Sequence, residues 1–152
     1  MSKNRMWNFD KVQKDYLNKI LKNDREWFAA ADKYTAYISN GHFIVAMQRE
    51  FCGIDCNLPD HTRITADAFK KMTDVNIYNF EELTDTKTTM QHERDNIRML
   101  KNAAGEDIWI NDKYTKYFED MPIKYYGSGP KNVVYVEAHG CIVGLILPIN
   151  HK

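Results

Sequence analysis

Neither sign of charge dominates this sequence: 21 Lys+Arg face 21 Asp+Glu across 152 residues. A formal net charge of zero excludes a strong grip on a nucleic-acid backbone through overall charge and leaves only local basic patches for that purpose. Apolar runs are short, and none approaches the ~18–20 residues that span a bilayer, so no membrane partner is expected. The first residues, Met1-Ser2-Lys3-Asn4-Arg5, lead into an amphipathic segment and not into an apolar signal core, the pattern expected of a cytoplasmic protein. Glycine and proline are sparse, at seven and four, which excludes collagen-like and low-complexity architectures. Cysteine is scarcer still, and three thiols fit a reducing compartment better than a disulfide framework. What is present is ordinary globular material, 43% apolar and 28% charged. A chain of this length fits one domain, since one core usually takes about 100–200 residues. The expectation is a single α+β domain over residues 1–152.

Periodicity supplies the elements. Phe9, Val12, Tyr16, Leu17, Ile20 and Leu21 recur every three or four residues and predict a helix over 9–22. Two runs, 34–39 and 42–47, flank Asn40-Gly41 and predict a hairpin with a two-residue type I′ turn. Thr65 reads as the N-cap of a short helix over 65–73, with Ala68, Phe69 and Met72 facing inward. Segment 73–95 is polar and rich in Thr and Asp, so 48–95 reads as loop-rich. Strand-like runs follow at 97–100 and 107–110. Asp112 reads as the N-cap of a short aromatic helix ending near Asp120. Three further runs, 123–126, 133–137 and 141–147, close the chain, the last apolar on both faces and therefore central. Strands follow one another without a helix between each pair, which favours an antiparallel α+β sheet with packed helices. Open sheets leave unpaired edges, so the expected state is a monomer or an edge-to-edge homodimer.

No catalytic constellation stands out. Cys52 and Cys56 are spaced C-x3-C, with His61, His139 and Cys141 further along, but structural zinc commonly uses paired C-x2-C ligands. The plainer reading makes Cys52 and Cys141 small buried hydrophobes and Cys56 a free thiol. Cys–His pairs lack an orienting third group. The acids of 81–120 outnumber its bases ten to six, yet none falls in a metal-binding or acid–base spacing. Gly127-Ser128-Gly129-Pro130 lacks the following helix a phosphate cradle needs, and Pro130 removes a backbone donor. No catalytic residue, metal or cofactor is therefore assigned.

Two surfaces qualify for binding. Trp109, Tyr114, Tyr117, Tyr125 and Tyr126, interleaved with Lys124 and Lys131, form an aromatic-rich tail of the kind enriched at protein interfaces. Tyr125 and Tyr126 are adjacent and must face opposite sides of a strand, so one of them is expected to be an exposed anchor. The alternative is a basic stripe, Lys11, Lys14, Lys19 and Lys22, in a segment (1–25) with seven bases and three acids, for nucleic acid.

Asn40-Gly41-His42-Phe43-Ile44-Val45 resembles the helix-then-hairpin unit of sliding-clamp domains. The tail, from Ile110 through Asn111 and Tyr114 to Gly144-Leu145-Ile146-Leu147-Pro148-Ile149, resembles the end of such a domain. It is also similar to small proteins of bacteriophages and integrated elements that share an Asn-x-x-Tyr helix start and a final apolar strand closed by Leu-Pro. The resemblance implies a single sliding-clamp-like domain in a non-enzymatic phage or mobile-element protein. It would act in the host cytosol by binding a host protein and inhibiting a defence or replication enzyme. The alternatives are a nucleic-acid-binding accessory protein of replication and a small metal-dependent enzyme.

Overall fold

The computed structural model describes residues 9–150; Lys3 and Arg5 of the basic N-terminal segment lie outside them. In chain order the elements are α1 (Asp10–Leu21), β1 (Phe28–Ala31), β2 (Thr35–Ser39), β3 (Phe43–Gln48), α2 (Ala66–Thr73), β4 (Glu81–His92), β5 (Asp95–Lys101), β6 (Asp107–Asn111), α3 (Asp112–Thr115), β7 (Ile123–Gly127), β8 (Val134–Ala138) and β9 (Cys141–Ile146). The strands form one sheet in the order β1-β2-β3-β9-β8-β7-β4-β5-β6. Every neighbouring pair is antiparallel, which makes the architecture α+β and mostly sheet.

Apolar side chains line both faces. On one, Val12 and Tyr16 of α1 pack with Ile38, Val45, Val136 and Ile146 of the central strands, and with Leu100, Ile108 and Ile110 of β5 and β6. Phe69 of α2 covers the other face, stacked on Phe28 at 5.9 Å and Tyr37 at 5.2 Å. Strands that feed both layers must be apolar throughout, which is why β3 and β9 read as central and lie side by side.

Gly144 sits where β9 is most crowded. A Cβ there would lie 2.5 Å from Phe118 Cζ and against the Ile44 carbonyl oxygen, so glycine alone lets the Phe118 ring rest on the sheet.

Several local expectations are corrected. The Asn40-Gly41 loop is not a type I′ turn: Ser39 pairs with Ile44, and only Gly41, at φ 92°, is left-handed. The Asn40 carboxamide oxygen accepts the His42 N–H at 2.9 Å, an Asx turn in which Asn40 itself is not left-handed and glycine takes the positive φ. The two-residue turn with both residues at positive φ is His139-Gly140, between paired Ala138 and Cys141. Polar segment 81–92 is the longest strand, not a loop. Its Thr side chains suit β geometry, but Leu83 is its one buried residue, so it carries no apolar alternation. Strand β1 was not foreseen, because Phe28-Ala29-Ala30-Ala31 has little β-branched character. Asn111, not Asp112, caps α3 by accepting the Lys113 N–H. Thr65 caps α2 as expected, though Met72 points outward and is 42% exposed.

The β6 edge carries a backbone partner. The Ile149 N–H donates to the Trp109 carbonyl at 2.7 Å, laying the C-terminal segment along β6. Ahead of β1, the His61 ring bonds the Trp27 carbonyl at 3.0 Å, and the Arg63 guanidinium lies 5.1 Å from the Phe28 ring centre.

Gly144→Ala is expected to cost about 3 kcal/mol through overpacking against Phe118. Urea unfolding should show the loss as a lower midpoint at unchanged slope.

Candidate functional site

Two hairpin turns, the start of α3, the connection after α1 and the segment after β9 converge on one side of the molecule. The β2–β3 loop supplies Asn40 and His42, the β4–β5 turn supplies His92, Glu93, Arg94 and Asp95, and the start of α3 supplies Asn111, Lys113 and Tyr114. The segment after α1 adds Asp24, Glu26 and Trp27, and the segment after β9 adds residues Leu147 to Asn150. Together they line a trough of about 800 Å³. A smaller recess of about 290 Å³ continues from it, sharing Asp95, Asn111 and Lys113, and runs beside Lys11, Asp15 and Lys116.

Hydrogen bonds fix the rim. Asn40 Nδ2 donates to the Tyr114 hydroxyl at 3.0 Å, tying hairpin to helix. The Leu147 N–H donates to the His42 carbonyl at 2.9 Å. The Tyr117 hydroxyl donates to Asp15 at 2.8 Å and so joins α1 to the α3 segment. Burial, and then this bond to Asp15, pushes the Tyr117 phenol above the ordinary tyrosine range. Charges alternate around the opening: Lys19 lies 3.9 Å from Asp24 and Lys113 lies 3.7 Å from Asp95. Trp27, Tyr114, Leu147 and Ile149 give the lining an apolar share.

The aromatic tail is placed otherwise than expected. Tyr114, Tyr117, Tyr125 and Tyr126 are all buried and Trp109 is half-buried. Tyr125 and Tyr126 do face opposite sides, but both sides are covered: Tyr125 joins the α1-side core and Tyr126 the α2-side core. Neither ring is an exposed anchor. Lys124 and Lys131 are exposed, Lys124 lying 3.8 Å from Glu82. Of the basic stripe, Lys19 reaches the trough and Lys11 the recess, while Lys14 and Lys22 point away to solvent. The residues missed from the sequence (His42, Arg94, Asp95 and the 147–150 segment) sit at turns and ends far apart along the chain. From the sequence, Tyr114, Lys19 and the Asn40-Gly41 turn marked parts of this rim.

Two further polar clusters flank the site. Arg98 on β5 donates from Nε to Asp112 at 2.7 Å and from one terminal nitrogen to Asp85 at 3.2 Å. Burial lowers the guanidinium's pKa, but Asp112 and Asp85 more than offset it and the net direction is upward. Lys116 completes the cluster, 3.7 Å from Asp112. Below α1, the Cys52 and Cys56 sulfurs lie 3.4 Å apart. Cys56 is a free thiol as expected and is buried, and Cys52 is half-buried, whereas Cys141 is exposed and not the buried hydrophobe expected. Among the described residues no group of three or more His, Cys, Asp or Glu side chains is arranged to hold a metal ion. No helix among them is long and apolar enough to cross a membrane.

Compared with protein-family models, with curated proteins and with solved structures, the chain matches none.

Arg98→Met leaves the Asp112 carboxylate, 12% exposed, without its closest cation. The expected loss is about 2–3 kcal/mol, between the values for exposed and fully buried pairs. The exposed Lys71–Asp67 pair is the control, and Lys71→Met should leave the urea midpoint unchanged within error.

Proposed function

We propose that this chain is a non-enzymatic binding protein of phage or mobile-element type that occupies a surface on a host protein and inhibits a defence or replication enzyme. The trough is its contact surface. One observation carries the reading: opposed charges (Lys19, Arg94 and Lys113 against Asp24, Glu26, Glu93 and Asp95) ring a lining that includes Trp27, Tyr114, Leu147 and Ile149. An apolar centre with a mixed-charge rim is how protein interfaces are composed, and complementary charge steers and orients the partner. The host-protein assignment draws on the resemblance of the tail to small phage proteins. A single sliding-clamp-like domain is the corresponding reading of the fold, supported by α1 packing against the β1–β3 strands beside the Asn40-Gly41 loop.

The tyrosines contribute by building the trough, not by projecting from it. Tyr114 lines it while holding Asn40, and Tyr117 fastens α1 beneath. The nucleic-acid alternative is less favoured, because Asp15 and Asp24 lie among Lys11, Lys14, Lys19 and Lys22. A phosphate backbone following that face would meet carboxylates.

The test compares affinity for the co-purifying host protein between wild type, R94E/K113E and K124E/K131E. R94E/K113E is expected to weaken binding at least about tenfold, ~1.4 kcal/mol, with K124E/K131E near wild type. The reverse ranking would move the contact to the β7 side and overturn the assignment. Affinity that instead collapses about a thousandfold or more between roughly 50 and 200 mM salt, on nucleic acid, would establish the accessory-protein reading.

A further inference from the structure

We propose that Cys52 and Cys56 form a reversible redox site, oxidised to an intramolecular disulfide by hydroperoxides and restored by dithiols. The two sulfurs already stand 3.4 Å apart in one short loop, against the roughly 2.05 Å of a disulfide bond. The loop is clamped: Gln13 of α1 donates from Nε2 to the Phe51 carbonyl at 3.1 Å and accepts the Gly53 N–H at 2.7 Å. Gln13 therefore holds the backbone on both sides of Cys52, and the thiols meet through the fold and not only through closeness along the chain.

The two thiols differ as an attacking and a resolving pair should. Cys52 is half-buried and reachable, while Cys56 is 1% exposed. The two sulfurs share a hydrogen bond, and despite opposing burial this bond to Cys56, the Ile54 backbone and the Arg49 charge bring Cys52 below the ordinary thiol range. Cys56, facing the Cys52 thiolate and buried, moves up and stays protonated. Asp55 and the Tyr16 phenol are the other titratable groups at the site. Burial first, then the charges of Cys56, Asp55 and Cys52, push that phenol up to about 12, so it stays neutral beside the thiolate.

The chemistry balances in two steps. The Cys52 thiolate attacks the peroxide oxygen, breaking the O–O bond; one oxygen stays on sulfur as the sulfenic acid and the other leaves, protonated, as water or alcohol. Cys56 then attacks the Cys52 sulfur, its thiol proton leaves with the hydroxyl as water, and the S–S bond forms. The dithiol is oxidised by two electrons and the hydroperoxide reduced by two.

The experiment uses full-length protein carrying Cys141→Ser, which removes the exposed thiol. Hydrogen peroxide is expected to remove both alkylatable thiols together, with an intact mass lower by two hydrogens and full recovery in dithiothreitol. Adding Cys56→Ser should halt the reaction at one added oxygen on Cys52, trapped by dimedone. Adding Cys52→Ser should abolish both products. The pH profile of the first step should have its midpoint below the roughly 8.5 of a free thiol. Two thiols that stay alkylatable under peroxide sufficient to consume glutathione would overturn the proposal. So would oxygen added to Cys56 when Cys52 is absent, or disulfide found only between chains.

Discussion

Strand β4 belongs to two ladders at once, and the layout of the molecule follows from how it bends. Its first residues, Glu81 to Leu83, pair with β7, and the remainder pairs with β5. Between them the register slips at Asp85–Thr88, with Lys87 at φ 60°. A bulge of this kind bends a strand and increases its twist. Here it is held by side chains: the Thr86 hydroxyl donates to the Met99 carbonyl at 2.8 Å, and Arg98 grips Asp85 on one side and Asp112 on the other. The bend brings Leu100, Ile108 and Ile110 into the same core as Val45 and Val136, although β5 and β6 stand at the far end of the sheet order. It also carries β6 back to the chain end, where Ile149 meets Trp109. The trough is the space left where this curl returns on itself.

Polar contacts across long sequence distances then set the curl's geometry. Tyr117 with Asp15, Asn40 with Tyr114, and Gln13 with the Phe51–Gly53 backbone each join an early element to one that is not its chain neighbour. A buried hydrogen bond contributes about 1 kcal/mol net, so these bonds do more to orient α1 and the hairpin than to drive collapse. Collapse comes from the apolar area on both sheet faces.

How far the fold was legible follows from this division. Buried periodicity was readable: β3 and β9 announced themselves as central, α2 by its Thr65 cap, and α1 by a stripe of which Val12 and Tyr16 are buried while Leu17 and Leu21 are exposed. What lacks a buried face left no trace, so β4 read as loop. The tyrosines misled for a related reason. Sequence says that Tyr125 and Tyr126 face opposite ways, but not that both sides of the sheet are covered there. The trough was almost wholly illegible, since its lining comes from turns and a tail whose meeting depends on the β4 bend.

The guarded sheet margins have a bearing on self-association. An open antiparallel ladder is a template for a second chain, and polymerisation by strand addition starts there. In this molecule one margin is bridged by its own tail at Ile149 and Trp109, and the other is a strand of only four residues. Self-paired and very short margins are among the devices by which sheets discourage templated growth, and here they stand in a chain with no net charge to keep molecules apart.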